Sequence, residues 1–415
     1  MTPRMLKQTL EEWSREVHVP ADLAGRALRR RSRLRLTRFA GAVSCAALVA
    51  AVALLVPLVV IPRFAQPADS GGAPVVVPVE PYRQTAHAQD VLADMASSPP
   101  KKMIAAGQVA VSAYYTWRWR TVDGRRVIDR TWYVLDQVTQ SYKKTQWGWA
   151  EVAPGLRWAA VLEKDLPVRR IGILDMETRR VRAWVPVEHP VGGVSWSPDG
   201  TRLVATAYDK SPDLHQSAAG RETCPPRAPA SPGQPHPGRI STSRTGFYIV
   251  DVATATAGRF RAVDPCRIGP GNVRRDFRWS DDGTLVWESR YLMPRPDAFY
   301  DLEGRPHEAP DGYVAPESKA GVSPNGRLLA GRDGMPTKVT EVATGKVVGR
   351  QQVLQLLAWA DNRRLVGLGC AGRCGNEFTN GLVLVDVDGG NAVPLTANRK
   401  NSQQPGSWEP VLTPR

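Results

Sequence analysis

The chain has 415 residues and a formal net charge of +15, from 55 lysines and arginines against 40 aspartates and glutamates. Arginine outnumbers lysine 44 to 11. With abundant alanine, proline and glycine, this ratio indicates a GC-rich bacterial genome as much as any binding role. The basic charge is therefore only a weak sign of an anionic partner such as lipid or a wall polymer, and we do not expect nucleic acid binding.

The first 62 residues predict a membrane anchor. Residues 1–38 carry ten basic and four acidic side chains. Residues 39–62 carry no charge and, at about 1.5 Å per residue, are long enough to cross roughly 30 Å of hydrocarbon. The arginine excess before this span predicts a cytoplasmic tail at 1–38, a single transmembrane helix at 39–62 and an extracytoplasmic location for everything that follows. A cleaved signal peptide and a twin-arginine signal are the alternatives.

The segments on either side of the span have simple compositions. Leu6, Leu10, Trp13 and Val17 share one face of a short helix predicted in the tail, which either lies on the membrane surface or docks a cytoplasmic partner. Residues 63–106 are rich in proline, alanine, glycine and serine. This composition predicts an extracytoplasmic linker that holds the next domain away from the membrane.

Two series of turn signals recur through the rest of the chain. In the first, an apolar strand ends in an acidic residue and a polar turn, at Asp136, Asp175, Asp251, Asp301, Glu341 and Asp386. The second series precedes the first, at residues 121–124, 153–155, 197–200, 280–283, 323–326 and 360–363. The acidic turns are separated by about 39, 76, 50, 40 and 45 residues, which fits propeller blades of roughly 40 to 50 residues. Six similar units are predicted.

The long second interval is explained by an insertion at residues 211–241. Its part at 224–238 is dense in proline and glycine and cannot hold a strand ladder, because proline lacks the amide donor. We expect a solvated loop that the fold does not need.

The unit around Trp196 shows the physical content of the repeat. Val194 and Trp196 alternate with polar residues, as a half-buried strand requires. Pro198 presets φ, Asp199 bonds its own backbone, and Gly200 accepts a positive φ. A large apolar side chain at the position of Trp196 is expected to pack between neighbouring sheets. The matching structural positions in later units are Trp279, Asp282, Gly283, Pro324, Gly326 and Trp359.

These residues carry a family resemblance. The run from Trp196 to Gly200 and its counterparts resembles the WD40-like (PD40) repeats of the TolB-type six-bladed β-propeller, and the whole arrangement is similar to membrane-anchored propeller proteins of actinobacteria. The resemblance implies an all-β propeller at 107–400, preceded by the single transmembrane helix, with 401–415 as a C-terminal tail. The repeat motifs are specific for the fold and say little about function.

Four of the five cysteines follow the span. An even number in an oxidising compartment favours two disulfides, and proximity favours Cys370 with Cys374 and Cys224 with Cys266. A zinc site at Cys370 and Cys374 is the rival interpretation, but no second thiol pair or histidine pair has ligand spacing.

No catalytic, cofactor or metal site is predicted. The sequence has no G-x-S-x-G elbow, and beside the repeats there is no room for an α/β-hydrolase domain. His307 and Glu308 are not followed by the second histidine of a zincin. A calcium ring at the acidic turns and an aromatic sugar platform are open alternatives to purely structural roles for these aspartates and for the tryptophans.

The predicted function is a non-enzymatic, membrane-anchored extracytoplasmic scaffold that binds or senses a protein or cell-envelope ligand on one propeller face. The alternative is a regulatory membrane protein whose tail at 1–38 holds a cytoplasmic partner such as a sigma factor. An extracytoplasmic hydrolase is a third hypothesis.

Overall fold

A computed structural model of the protein describes residues 76–84, 90–215, 239–241, 243–264, 266–268, 274–288, 298–372 and 374–415. The chain divides into two compact units, 1–70 and 71–415, and all described residues belong to the second. Within them every long regular element is a β-strand, and no helix among them is long and apolar enough to cross a membrane. The predicted tail and transmembrane helix lie outside the described residues.

The described strands are numbered in chain order. They are β1 Val91–Leu92, β2 Ala105–Ala106, β3 Val109–Val122, β4 Arg125–Asp136, β5 Ser141–Lys144, β6 Trp149–Val152, β7 Trp158–Leu162, β8 Val168–Asp175, β9 Arg180–Trp196, β10 Arg202–Tyr208, β11 Arg239–Ser241, β12 Arg244–Asp251, β13 Thr256–Ala257, β14 Arg261–Ala262, β15 Cys266–Ile268, β16 Arg278–Trp279, β17 Val286–Glu288, β18 Ala298–Tyr300, β19 Pro306–His307, β20 Leu328–Ala330, β21 Thr337–Glu341, β22 Val347–Gln351, β23 Val353–Trp359, β24 Arg364–Gly369, β25 Gly381–Asp386, β26 Ala392–Pro394 and β27 Trp408–Pro414.

Antiparallel meanders make the arrangement propeller-like, with four blades. β6 to β9 form one meander, and the end of β9 begins the next, which continues through β10, β12 and β13. β9 serves both because Arg180 to Pro186 pair with β8, whereas Val194 to Trp196 pair with β10. β16 to β19 and β23 to β26 form the other two. The predicted all-β fold with propeller architecture is confirmed at this level.

A further sheet contains β1 to β5 in order, with β27 paired to β3. Residues 401–415, expected as a tail, therefore supply a strand, in which Val411 is opposite Ala113. One strand, β4, lies between the turn at 121–124 and the acidic turn at Asp136, whereas two strands, β7 and β8, lie between the turn at 153–155 and Asp175. The turn at 121–124 therefore does not match its counterpart, and its assignment to the second turn series was wrong. Pairing of the C-terminal strand removes an open sheet edge, which explains its place.

The predicted linker at 63–106 also differs from a free spacer where it is described. β1 pairs with β2, and β2 with β3. Val77 is 1% exposed, and its N–H donates to the carbonyl oxygen of Ala253 at 2.9 Å. Apolar side chains scattered among the prolines are thus enough to fasten this segment to the sheets.

Side-chain hydrogen bonds explain both turn series. Asp199 accepts bonds from the Thr201 N–H at 3.1 Å and from its hydroxyl at 2.8 Å, and Gly200 has φ of 69°. In the acidic series, Asp175 accepts bonds from the N–H groups of Glu177 and Thr178 at 2.9 and 3.0 Å. Aspartate thus stabilises both of these turns locally.

Candidate binding site

Charged and polar side chains from β4, from β10 and from the residues that follow β10 and precede β16 meet in one group of contacts. Arg130, Tyr208, Asp213, Arg274 and Asp276 form what we call the arginine–aspartate network. Arg274 donates two parallel hydrogen bonds of 3.0 Å to the Asp213 carboxylate, and Arg130 lies 2.5 Å from the same carboxylate. Such bidentate, charge-assisted contacts hold planar groups in a defined orientation.

The rest of the network extends from Arg274. Its guanidinium lies 3.1 Å from Asp276 and 4.1 Å from the ring centroid of Trp149. The Tyr208 hydroxyl donates to Asp276 at 2.8 Å. Burial opposes ionisation of Asp213, but the charges of Arg274 and Arg130 outweigh it and lower the pKa of Asp213 to about 2. The Asp213 carboxylate is therefore ionised at neutral pH, and it lies between the guanidinium groups of Arg130 and Arg274.

Asp213 corrects the expectation that the whole insertion at 211–241 is solvated loop. Its side chain is 7% exposed, and its carbonyl oxygen accepts a hydrogen bond from Ile128 N–H at 3.0 Å. The next contact, from His215 N–H to the Arg126 carbonyl oxygen, is 2.7 Å. This start of the insertion thus ties the β10 sheet to β4. Nothing in the local sequence indicates a partner 61 residues away in Arg274, which is why sequence reasoning missed it.

A second group, which we call the axial site, consists of Glu151, Ser195, Arg278 and Lys319. Glu151, Ser195 and Arg278 belong to β6, β9 and β16, the strands that begin three of the meanders. The Ser195 hydroxyl donates to the Glu151 carboxyl group at 3.2 Å. Burial raises the pKa of Glu151 to about 7, although the Arg278 charge and the Ser195 hydrogen bond act in the opposite direction.

The two cations of the axial site lack a direct partner. Among the described residues, the side chains of Arg278 and Lys319 make no hydrogen bond and no ion pair. Both are exposed to solvent, yet surrounding protein still partly desolvates Lys319, and this burial together with the Arg278 charge lowers the pKa of Lys319.

The carboxylates closest to Lys319 already have partners. Glu409 lies 2.8 Å from Arg399, and Asp333 accepts a hydrogen bond from Gln355 at 2.6 Å. Both carboxylates raise the pKa of Lys319 without contacting it. The positive charge of Lys319 is thus only partly balanced by its surroundings.

None of the predicted structural positions belongs to the axial site. Trp196, Trp279 and Trp359 are 6%, 6% and 4% exposed. Asp282 and Gly283 form a turn like that of Asp199 and Gly200, with Asp282 accepting from Thr284 N–H at 3.0 Å. Pro324 and Gly326 occupy the matching turn before β20, in which Gly326 has φ of 74°.

Cys370 and Cys374 form a disulfide, with their Cα atoms 5.8 Å apart. The other predicted pair, Cys224 with Cys266, lies outside the residues whose side chains are described. No three His, Cys, Asp or Glu side chains come together as metal ligands within the described part of the chain.

No protein-family model matches the chain, and neither does any curated protein sequence. Among solved structures, TolB from Acinetobacter baumannii is 16% identical over 74% of this chain and 67% of its own, with a TM-score of 0.37. Hydrazine synthase from Kuenenia stuttgartiensis is 13% identical over 61% of this chain and 68% of its own, with a TM-score of 0.32. At such values neither likeness is informative about activity or partners.

Proposed function

We propose that this protein is a membrane-anchored, extracytoplasmic β-propeller of six blades that acts as a non-enzymatic binding scaffold. Four complete antiparallel meanders are present among the described strands. The sheet of β1 to β5 with β27, and the three strands β20 to β22, support two more blades, in agreement with the six acidic turns. The arginine-rich tail before an uncharged span of 24 residues supports the anchor and its orientation.

The observation that carries a binding role is the pair of unpartnered cations in the axial site. Both side chains are exposed to solvent, so a ligand can reach them. Here Arg130, Arg274 and Arg399 all have carboxylate partners, while Arg278 and Lys319 do not. Exposed cations that no protein carboxylate engages are available to a ligand.

The unfolding free energy of neutral variants tests this role. Arg278→Met and Lys319→Met keep most of the apolar stem and remove the charge, so each is expected to leave the unliganded protein as stable as wild type or more stable. Urea titration of the detergent-purified full chain measures this, with Lys346→Met in the exposed turn before β22 as a control. Destabilisation by either axial variant beyond about 1 kcal/mol would show a structural role and remove the argument for binding.

Topology is tested separately. Protease added to intact spheroplasts is expected to digest the propeller, and its full protection would overturn the extracytoplasmic assignment. The alternative in which the tail at 1–38 holds a cytoplasmic partner such as a sigma factor depends on residues outside the described ranges and stays a prediction.

A further inference from the structure

We propose that the free edge of β3 at residues 118–122 binds an extended, acidic peptide segment of a partner protein, which adds to the sheet as a further strand. This edge contains no residue of the axial site, so the inference goes beyond the proposed function and is tested separately from it. Its basis is a two-stranded ribbon whose opposite edge already holds another segment of this chain.

The ribbon is the outer part of the hairpin formed by β3 and β4. Pairing of β27 with β3 stops opposite Thr116, whereas β3 and β4 stay paired as far as Val122. Among the described residues, the last backbone contact on the β27 side runs from the Gly406 N–H to the Trp117 carbonyl oxygen at 2.8 Å. Residues 118–122 therefore form an edge strand.

Residues 213–215 already extend the β4 edge of this ribbon. The Ile128 N–H donates to the Asp213 carbonyl oxygen at 3.0 Å, and the His215 N–H donates to the Arg126 carbonyl oxygen at 2.7 Å. The two segments are antiparallel at the position between these contacts. The backbone groups of Arg126 and Ile128 thus point away from β3, and the ribbon accepts an added strand on this side.

The register of the ribbon shows which backbone groups of β3 are available. Thr121 is opposite Arg126, and Trp119 is opposite Ile128. Opposite residues of an antiparallel pair either bond each other or both point outward, so the N–H and C=O groups of Trp119 and Thr121 also point outward. None of these four groups has a hydrogen-bond partner within the described part of the chain. Two donors and two acceptors at alternate residues are what an extended peptide pairs with.

The side chains along this edge favour an acidic peptide. Arg118 and Arg120 lie on one face of β3, and their side chains are 71% and 44% exposed. Their partners Asp129 and Asp165 form surface ion pairs with them, and such pairs contribute little to stability. An added strand places its own side chains opposite these arginines, where opposite charges stabilise the pairing.

The same charges disfavour a second copy of this chain on the edge. In the antiparallel register that overlaps the whole edge, Arg120 of each copy would lie opposite Arg120 of the other, and like charges directly opposite each other are destabilising. The other face of the edge carries Trp119, whose ring centroid lies 4.1 Å from the guanidinium of Arg126. The expected ligand is therefore a strand in which acidic residues alternate with apolar or β-branched ones.

Fluorescence anisotropy with the detergent-purified full chain tests the proposal. The probe is a labelled synthetic peptide in which glutamate alternates with valine and threonine, and it is expected to bind. Two matched peptides, one with lysine in place of glutamate and one with proline in place of valine, are expected to bind at least about tenfold more weakly. The lysine peptide tests the charge, and the proline peptide tests strand pairing, because proline lacks the amide donor.

Variants of the edge test the same site from the protein side. Thr121→Pro removes an outward N–H and leaves the ladder to β4 intact, so the Kd of the acidic peptide should rise at least about tenfold. The matched control Thr121→Val keeps the N–H and should leave the Kd unchanged. The double variant Arg118→Gln, Arg120→Gln breaks surface ion pairs only and should also raise the Kd. Tryptophan fluorescence and urea titration check that each variant is folded.

Several results would overturn the proposal. They are no binding of the acidic peptide, equal binding of the proline peptide, and equal affinity of wild type and the double arginine variant. A dimer of the wild-type chain that Thr121→Pro abolishes, measured by light scattering, would assign the edge to a second copy and would also overturn it. The binding role of the axial site is judged independently, by the stability of Arg278→Met and Lys319→Met.

Discussion

The indole nitrogen of Trp196 donates a hydrogen bond of 2.9 Å to the backbone carbonyl oxygen of Glu151, and so joins β9 to β6. Trp279 donates in the same way to Ser195 at 3.1 Å, and Trp359 to Gly321 at 3.3 Å. Each tryptophan thus packs against the group of strands that precedes it in the chain and also fixes the backbone there. Glu151 and Ser195, two members of the axial site, are held in place by the packing residues of their neighbours.

Replacing Trp196 is expected to be far more damaging than replacing the turn aspartate beside it. Trp196→Ala should lower the unfolding free energy by about 3 to 5 kcal/mol, because it leaves a cavity between sheets. Asp199→Ala should cost about 1 kcal/mol, since the turn loses only local hydrogen bonds. Urea titrations of both variants measure the difference, with Trp196→Phe as an intermediate. Equal losses of unfolding free energy in Trp196→Ala and Asp199→Ala would contradict the packing role of the tryptophan.

The arginine–aspartate network is expected to contribute strongly to stability. Asp213→Asn removes the charge that Arg130 and Arg274 share, and leaving buried guanidinium groups unpaired typically costs about 3 to 5 kcal/mol. Asp165→Asn is the matched control, because Asp165 pairs with Arg120 on the surface at 2.6 Å, where an ion pair is worth under about 1 kcal/mol. Similar losses in the two variants would contradict a structural role for Asp213.

The same carboxylate predicts acid sensitivity. The pKa of Asp213 is lowered to about 2 in the folded state, so the unfolded chain binds the proton first as the pH falls. Its stabilisation, about 2 kcal/mol, is present above about pH 4 and is lost as the pH falls toward 2. The difference in melting temperature between wild type and Asp213→Asn should therefore be larger at pH 5 than at pH 3, and thermal unfolding at the two pH values measures it.

Glu151 predicts a pH dependence of the opposite sign. Because its pKa is raised to about 7, the folded state holds a proton that the unfolded chain has already released, and stability falls as the pH rises from about 4 to 7. The loss from this group is at most about 3 kcal/mol, less where water screens the charge. Glu151→Gln should remove this slope, so the variant should gain stability over wild type at pH 8 but not at pH 5. A parallel slope in both proteins would contradict the assignment.

The disulfide is expected to matter little for global stability. Cys370 and Cys374 are four residues apart, and closing so short a loop restricts the unfolded chain by only about 2 kcal/mol. Urea titration of the Cys370→Ser, Cys374→Ser double variant measures this. Thiol labelling of the denatured, unreduced chain should find neither cysteine of this pair reactive. A much larger loss would show that the bridge also holds native packing.

The recurrence of turn chemistry made the fold predictable. Ser197, Asp199 and Gly200 bring their own hydrogen bonds and positive φ, so the turn forms from residues adjacent in sequence. The alternating apolar pattern ending at Trp196 then places that side chain toward the neighbouring sheet. The division of strands among sheets was less predictable, and the sheet that contains β3 was misassigned, because its pairing with β27 joins residues nearly 300 positions apart.

The sequence by itself determined the all-β class, the repeat, the turn residues and the tryptophan positions, because each depends on interactions within a few residues or on a period that local composition reveals. Only the tertiary structure decided which charged groups meet. Asp213 lies in a polar stretch whose composition predicts a loop, and Arg274 and Arg130 lie far from it in the sequence. Glu151, Ser195 and Arg278 come from three strands, β6, β9 and β16, and Lys319 lies outside the described strands. Electrostatic interactions depend on distance in space and on burial, and the local order of residues determines neither.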